Sequence, residues 1–255
     1  FQSLLLDYID KENEIELNLQ ELTNQISVLK VFENQYKLKM IINLILKIAN
    51  NHYRGPNFFL KIEAILQNLK ESIIKYFTNT DIFTIFKSNK RILLFLIEEG
   101  IFYFDDQLVQ KIIGKSKYIK AKYPEYFMPE IKKFENEEWF PKKTQFGIRR
   151  NDWVGFLSDN LPENFNENRK NGENDDYICK LIREDSIVDF ISFVTKNNIN
   201  LNSSINPSIY ETNHFPKIKI ENNEHRKIKL IEYSAFFGSI QIFNYLKMND
   251  VELTS

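Results

Sequence analysis

Apolar side chains recur every three or four residues along successive stretches of the chain, and this spacing constrains the fold more than any other feature. It runs through residues 15–32, 36–50 and 57–77. On an α-helix, positions spaced in this way share one face, which packs against a core while the intervening charged and amide side chains face water. The 255 residues include only 7 Gly and 7 Pro, too few turn-forming residues for an all-β sandwich. We therefore predict an all-α fold that opens with a helical N-terminal region over residues 1–80.

Beyond this region, three shorter segments align with one another: residues 85–96, 182–191 and 235–246. Each is typical of a short helix, a tight two-residue turn and a second helix whose apolar residues come in adjacent pairs. A unit repeated in this way buries its apolar face by stacking on its neighbours. We predict that residues 81–255 form divergent helix-turn-helix repeats arranged as a solenoid, with long irregular inserts at about 115–173 and 197–228.

The repeat segments are similar to ankyrin repeats. Residues 234–239 read Ser-Ala-Phe-Phe-Gly-Ser, like the ankyrin Ala-Ala-x-x-Gly-His, although Ser234 and Ser239 depart from that pattern. Residues 96–101 read Leu-Ile-Glu-Glu-Gly-Ile, like the ankyrin Leu-Leu-x-x-Gly-Ala, whereas the Thr-Pro-Leu-His signature is missing from every copy.

The stretch from about residue 86 to 255 also resembles the protist ankyrin-repeat proteins that carry the uncharacterised domain DUF3447. The resemblance rests on segments such as Tyr-Pro-Glu-Tyr-Phe at 123–127, Glu-Glu-Trp-Phe-Pro at 137–141 and Ile-Glu-Tyr-Ser-Ala-Phe-Phe-Gly-Ser at 231–239. It implies an ankyrin-type architecture and a protein partner, and it implies no reaction. Because more repeats usually follow in that family, and because the first residue here is Phe, we expect a fragment of a longer array.

We therefore predict a protein-protein interaction scaffold without catalytic activity, monomeric, with a partner that the sequence does not name. Its concave face would use exposed positions on the first helix of each repeat. By the repeat alignment, these binding candidates are Phe83, Phe86, Lys87, Lys180, Arg183, Glu184, Tyr233, Phe236 and Phe237. Charge reversal at Arg183 or truncation of Phe236 should weaken binding without unfolding the chain.

The insert at 115–173 is rich in proline and aromatic residues and holds both tryptophans, Trp139 and Trp153. We predict that its aromatic segments are extended and lie against the helices, that residues 164–174 form a linker, and that Trp139 is a further binding candidate. Two other hypotheses stay open. One is an enzyme whose site lies in this insert, and the other is a purely structural cap in which the N-terminal helices cover the first repeat.

Charge and composition argue against several other functions. The 34 Lys and Arg residues balance 35 Asp and Glu residues, so we expect no nucleic-acid partner. No apolar stretch is long enough for a membrane span and the N-terminus is unlike a signal peptide, which predicts a soluble cytoplasmic protein.

The single cysteine and the three histidines give little chemistry to build on. Cys179 cannot form a disulfide within the chain, and His52, His214 and His225 lack metal-binding spacing. We expect no metal and no cofactor. Cys179 with His214 would be a nucleophile and base, but its place in a repeat helix favours a small core residue. The acidic pairs at 105–106 and 175–176 are assigned to helix N-termini.

Overall fold

The computed structural model describes residues 1–10, 15–52, 55, 57–115, 118, 122–140, 161–213 and 227–253, with only the backbone described for 15–18. Within these residues the regular structure is entirely helical, and the one extended pairing is an isolated antiparallel bridge between Ser204 and Lys229. The prediction of an all-α fold is confirmed for the described part of the chain.

Fourteen helices are described, in four groups along the chain. The N-terminal group comprises α1 (Gln2–Asp10), α2 (Ile15–Val28), α3 (Gln35–Asn51) and α4 (Phe58–Tyr76). The second group comprises α5 (Asn79–Phe86), α6 (Lys90–Glu98) and α7 (Asp106–Gly114). Three short helices follow, α8 (Tyr123–Tyr126), α9 (Met128–Lys132) and α10 (Phe165–Asn171). The last group comprises α11 (Tyr177–Arg183), α12 (Ile187–Lys196), α13 (Leu230–Phe237) and α14 (Ile240–Met248).

Local sequence accounts for most helix ends, with two differences from expectation. Gly100 ends α6 in the left-handed conformation, with φ of 67°, as predicted. Helix α5 begins earlier than the predicted Asp81 because Thr78 and Asp81 form a reciprocal capping box. Asn57 precedes α4 as predicted, but it is itself left-handed, with φ of 61°, and its side chain makes no capping hydrogen bond.

The buried apolar residues form two separate cores. The first runs from Leu5 to Phe140 and also takes in Phe165 and Tyr210, whereas the second runs from Ile178 to Val251. The first core includes residues on both sides of position 80, so α5–α7 pack together with the N-terminal helices. The predicted division of the chain at 80 stays a prediction.

The first predicted insert is more ordered than expected. Its aromatic segment is not extended, because Pro124 and Pro129 each begin a short helix, a position where proline's fixed φ is favourable. The predicted docking is nevertheless present, since Tyr126 and Phe127 are fully buried. Residues 141–160, which include Trp153, lie outside the described part of the chain.

The predicted linker at 164–174 is wrong, because this stretch contains α10. The Nη1 atom of Arg169 lies 2.8 Å from a carboxylate oxygen of Glu130 and donates to the Tyr126 carbonyl at 3.1 Å. Only 5% of Arg169 is exposed. A buried arginine with these partners holds α10 against α8 and α9.

The first turn of α6 anchors both predicted inserts to the first core. The Nε of Arg91 donates to the Lys170 carbonyl in α10. The ammonium of Lys90 donates to the carbonyl of Ile209 at 2.6 Å and lies 5.0 Å from the centre of the Tyr126 ring. The second insert is closed at its base by the Ser204–Lys229 bridge, and its residues 214–226 lie outside the described part.

Candidate protein-binding surface

Helices α11–α12 and α13–α14 form two hairpins with the same local geometry, here called the first and second stacked hairpins. Their turns place Asp185 and Gly238 in the left-handed conformation, with φ of 48° and 68°. The second helices also end alike, because the Ile199 amide donates to the Val194 carbonyl at 2.9 Å and the Val251 amide to the Leu246 carbonyl at 3.1 Å. These shared bonds define which positions of the two hairpins correspond.

The two hairpins pack helix against helix, α11 on α13 and α12 on α14. The carboxylate of Asp185 accepts hydrogen bonds from the amides of Gln241 and Ile242, both at 3.0 Å. The hydroxyl of Ser239 donates back to the Ile182 carbonyl. The first stacked hairpin thus caps the N-terminus of α14 in the second, which couples their stability.

A buried polar network crosses the same interface. Arg183 donates to the Tyr233 hydroxyl at 2.9 Å and forms an ion pair with Glu173 at 2.9 Å, and Tyr233 donates to Glu211 at 3.2 Å. Burial, followed by the negative charge of Glu211, raises the pKa of Tyr233 well above its usual range. The predicted test by charge reversal at Arg183 is therefore unsuitable, because the change would break this network as well as any surface contact.

Four of the residues predicted to be exposed are buried instead. Phe83 and Phe86 are fully buried in the first core, while Tyr233 and Phe237 lie in the second, with 0% and 5% of their surfaces exposed. Phe83 packs against the rings of Phe102, Tyr118 and Tyr123. The expectation that these four face a partner is wrong, because they lie on the apolar stripe that each helix turns toward its core.

The charged candidates do reach the surface. Lys87, Lys180 and Glu184 are exposed, and Phe236 is half-buried. Lys180 and Glu184 lie 3.9 Å apart on α11, whereas Lys87 follows α5, whose apolar side chains belong to the other core. A binding role for these residues stays a prediction.

Trp139 is half-buried among aromatic side chains. Its ring centroid lies 6.0 Å from that of Phe134 and 5.9 Å from that of Phe140. On the described side, aromatic packing therefore fills the region where an enzymatic pocket was imagined, and no cluster of three metal-ligating side chains occurs among the described residues. The hypothesis of an enzyme in this insert stays untested for residues 141–160.

Cys179 is a core residue, as predicted. It is fully buried in α11, and burial together with the nearby Asp176 carboxylate raises the pKa of its thiol to about 12. A thiol with this pKa supplies almost no thiolate near neutral pH, so Cys179 is poorly suited as a nucleophile. The imagined partner His214 lies outside the described residues.

Exposed apolar side chains that the sequence analysis missed lie on the second helices of the stacked hairpins. Val188 is 76% exposed and Ile240 is 68% exposed. Each stands two residues before a fully buried residue, Phe190 in α12 and Ile242 in α14. Because α12 and α14 pack side by side, these equivalent positions lie on the same side of the stack. Their signal in the sequence is an apolar residue placed off the main stripe of an amphipathic helix.

We call this surface the outer face and define it by Val188, Ser192 and Lys196 of α12 with Ile240, Asn244 and Met248 of α14. All six are exposed, Met248 to 84%. The surface therefore combines apolar side chains with amide, hydroxyl and ammonium groups, a composition suited to a protein contact.

Comparison of the chain with models of known protein families, with curated proteins and with solved structures found no match. The resemblance to ankyrin proteins and to DUF3447 remains an expectation from the sequence. Among the described helices, none combines the length and apolar character needed to cross a lipid bilayer.

Proposed function

We propose that the chain is a protein-protein interaction scaffold of the helical-repeat type, which acts by binding and not by catalysis. The observation that carries this proposal is the exposure of Val188 and Ile240 at equivalent positions of adjacent, packed helices. Single exposed apolar residues are common on protein surfaces. Several that adjoin one another are typical of a surface that a partner covers.

An ankyrin-type assignment, a cytoplasmic location and a monomeric state belong to the same proposal. The left-handed Gly238 at the turn and the closely packed Ser234, which is fully buried, support an ankyrin-type hairpin. The exposed pair of Lys180 and Glu184 offers a second, charged surface on the first helices.

Quantitative affinity capture from the cell that produces the protein tests the proposal. The full chain is compared with Val188→Asp/Ile240→Asp, which places two charges in the outer face. A matched control is Val28→Asp/Leu60→Asp, because these two side chains are similarly exposed, at 74% and 61%, on helices of the other core. Lys180→Glu tests the charged surface in the same experiment.

We expect specific proteins that the wild-type chain and the Val28→Asp/Leu60→Asp control retain, and that the outer-face variant loses. If only Lys180→Glu loses them, the binding surface lies on the first helices. If no protein is retained above the level of bare beads, or if all variants retain the same proteins equally, the proposal is wrong for both surfaces.

A further inference from the structure

The contacts between the two stacked hairpins indicate what the free side of the second one could bind. The first stacked hairpin holds the second through three neighbouring positions at the end of α11 and the following turn. The carbonyl of Ile182 accepts from Ser239, Arg183 donates to Tyr233, and the Asp185 carboxylate caps α14. Ile182 is fully buried by this packing.

The corresponding positions of the second stacked hairpin are Ala235, Phe236 and Gly238, here called the end face. Ala235 and Gly238 are exposed and Phe236 is half-buried, with its ring in edge contact with Phe237 at 5.1 Å. A Cβ atom added to Gly238 would meet no atom within 4 Å. The surface that continues the established interface is therefore open, and its small residues allow another helix to approach closely.

We propose that the end face binds a further helix hairpin supplied by a partner protein, packed as the second stacked hairpin packs on the first. Its chemistry differs from that of the existing interface at two positions. Phe236 stands where Arg183 stands in the first stacked hairpin, so the partner presents an apolar ring there instead of a hydroxyl. Gly238 stands where Asp185 stands and has no carboxylate, so the partner hairpin caps its own second helix.

The test extends the full chain by one added hairpin. After Val251, which corresponds to Ile199, the chain continues with residues 200–205, an Asn-Gly turn, and a copy of residues 228–253. The two-residue turn suits the antiparallel pairing of Ser204 with Lys229 at the base of the native unit. One version of the added copy carries Tyr233→Phe to meet Phe236, and the other keeps Tyr233. Thermal unfolding is followed by calorimetry.

We expect the Tyr233→Phe version to raise the Tm by roughly 5 °C and the version with Tyr233 to raise it less. Ala235→Arg in the native second hairpin should abolish the rise, although in the unextended chain it changes the Tm by only about 1 °C because the side chain is exposed. Equal Tm values for extended chains with and without Ala235→Arg would overturn the proposal.

The size of the unextended chain in solution excludes another occupant. Light scattering coupled to size-exclusion chromatography should give a monomer. A dimer that Ala235→Arg dissolves would mean that a second copy of the chain covers the end face, and would overturn the assignment to a partner hairpin.

Discussion

Substitution of Asp185 measures how strongly the two stacked hairpins are coupled. Its carboxylate caps the N-terminus of α14 in the neighbouring hairpin, while its own backbone is left-handed, with φ of 48°. Asp185→Gly removes the cap but keeps a backbone that tolerates positive φ. Asp185→Ala removes the cap and adds the steric cost of a Cβ atom in that conformation.

The two variants should differ by a predictable amount. Loss of a cap costs about 1 kcal/mol, and loss of a negative charge at a helix N-terminus adds up to about 1 kcal/mol. We therefore expect Asp185→Gly to lower the free energy of unfolding by about 1–2 kcal/mol. Asp185→Ala should lower it by about 1 kcal/mol more, because alanine strongly disfavours the left-handed conformation.

Urea unfolding followed by circular dichroism gives the free energies, and hydrogen exchange at the Gln241 and Ile242 amides gives a local measure. Asp250→Gly is the matched control, because Asp250 is also left-handed, with φ of 58°, but is exposed at the end of α14. It should be neutral or stabilising. The reasoning is refuted if Asp185→Gly unfolds at the same urea concentration as the wild-type chain and leaves exchange at both amides unchanged.

Three further predictions concern buried groups. Burial lowers the pKa of Lys90 to about 8, against the opposing effects of Glu125 and Glu211; because the unfolded chain holds this proton up to about 10.5, stability should rise between about pH 8 and 10.5, by at most about 3 kcal/mol. Comparison of wild type with Lys90→Met by urea unfolding across that range checks this, and parallel pH profiles would contradict it. The Cys179 thiol should react with an aromatic disulfide reagent only as fast as the second core opens, so rapid labelling of the native protein would show that it is accessible. Phe237→Ala should cost about 3–5 kcal/mol and Phe236→Ala below about 1 kcal/mol in the same unfolding assay, and equal losses would contradict the assignment of one to the core and the other to the surface.

The helices and several of their ends could be predicted because they depend on local sequence. Periodic apolar residues located α2–α4, and the left-handed glycines at positions 100 and 238 followed from their place after or between helices. The short helices in the first insert were also readable in principle, since Pro124 and Pro129 favour a first helical turn. Their aromatic neighbours were taken as a sign of extended structure instead.

The candidate surface was harder to predict because it depends on which face of each helix meets the core. Repeat alignment placed Phe86 and Phe237 at matching positions, but it did not indicate that both are buried. Arg169 gives the same lesson: its stretch of Asn and charged residues suggests a linker, and only its distant partner Glu130 explains why it is buried. Contacts between residues far apart in the chain decided these cases.

The central claim is that the outer face of the stacked hairpins binds protein. Its most direct test is the dissociation constant of a captured partner, measured with purified proteins for wild type, Val188→Asp/Ile240→Asp and Val28→Asp/Leu60→Asp. Two charges buried against an apolar contact should weaken binding by roughly 100-fold or more, while the control changes it by less than about threefold. Equal dissociation constants for the two double variants would contradict the claim.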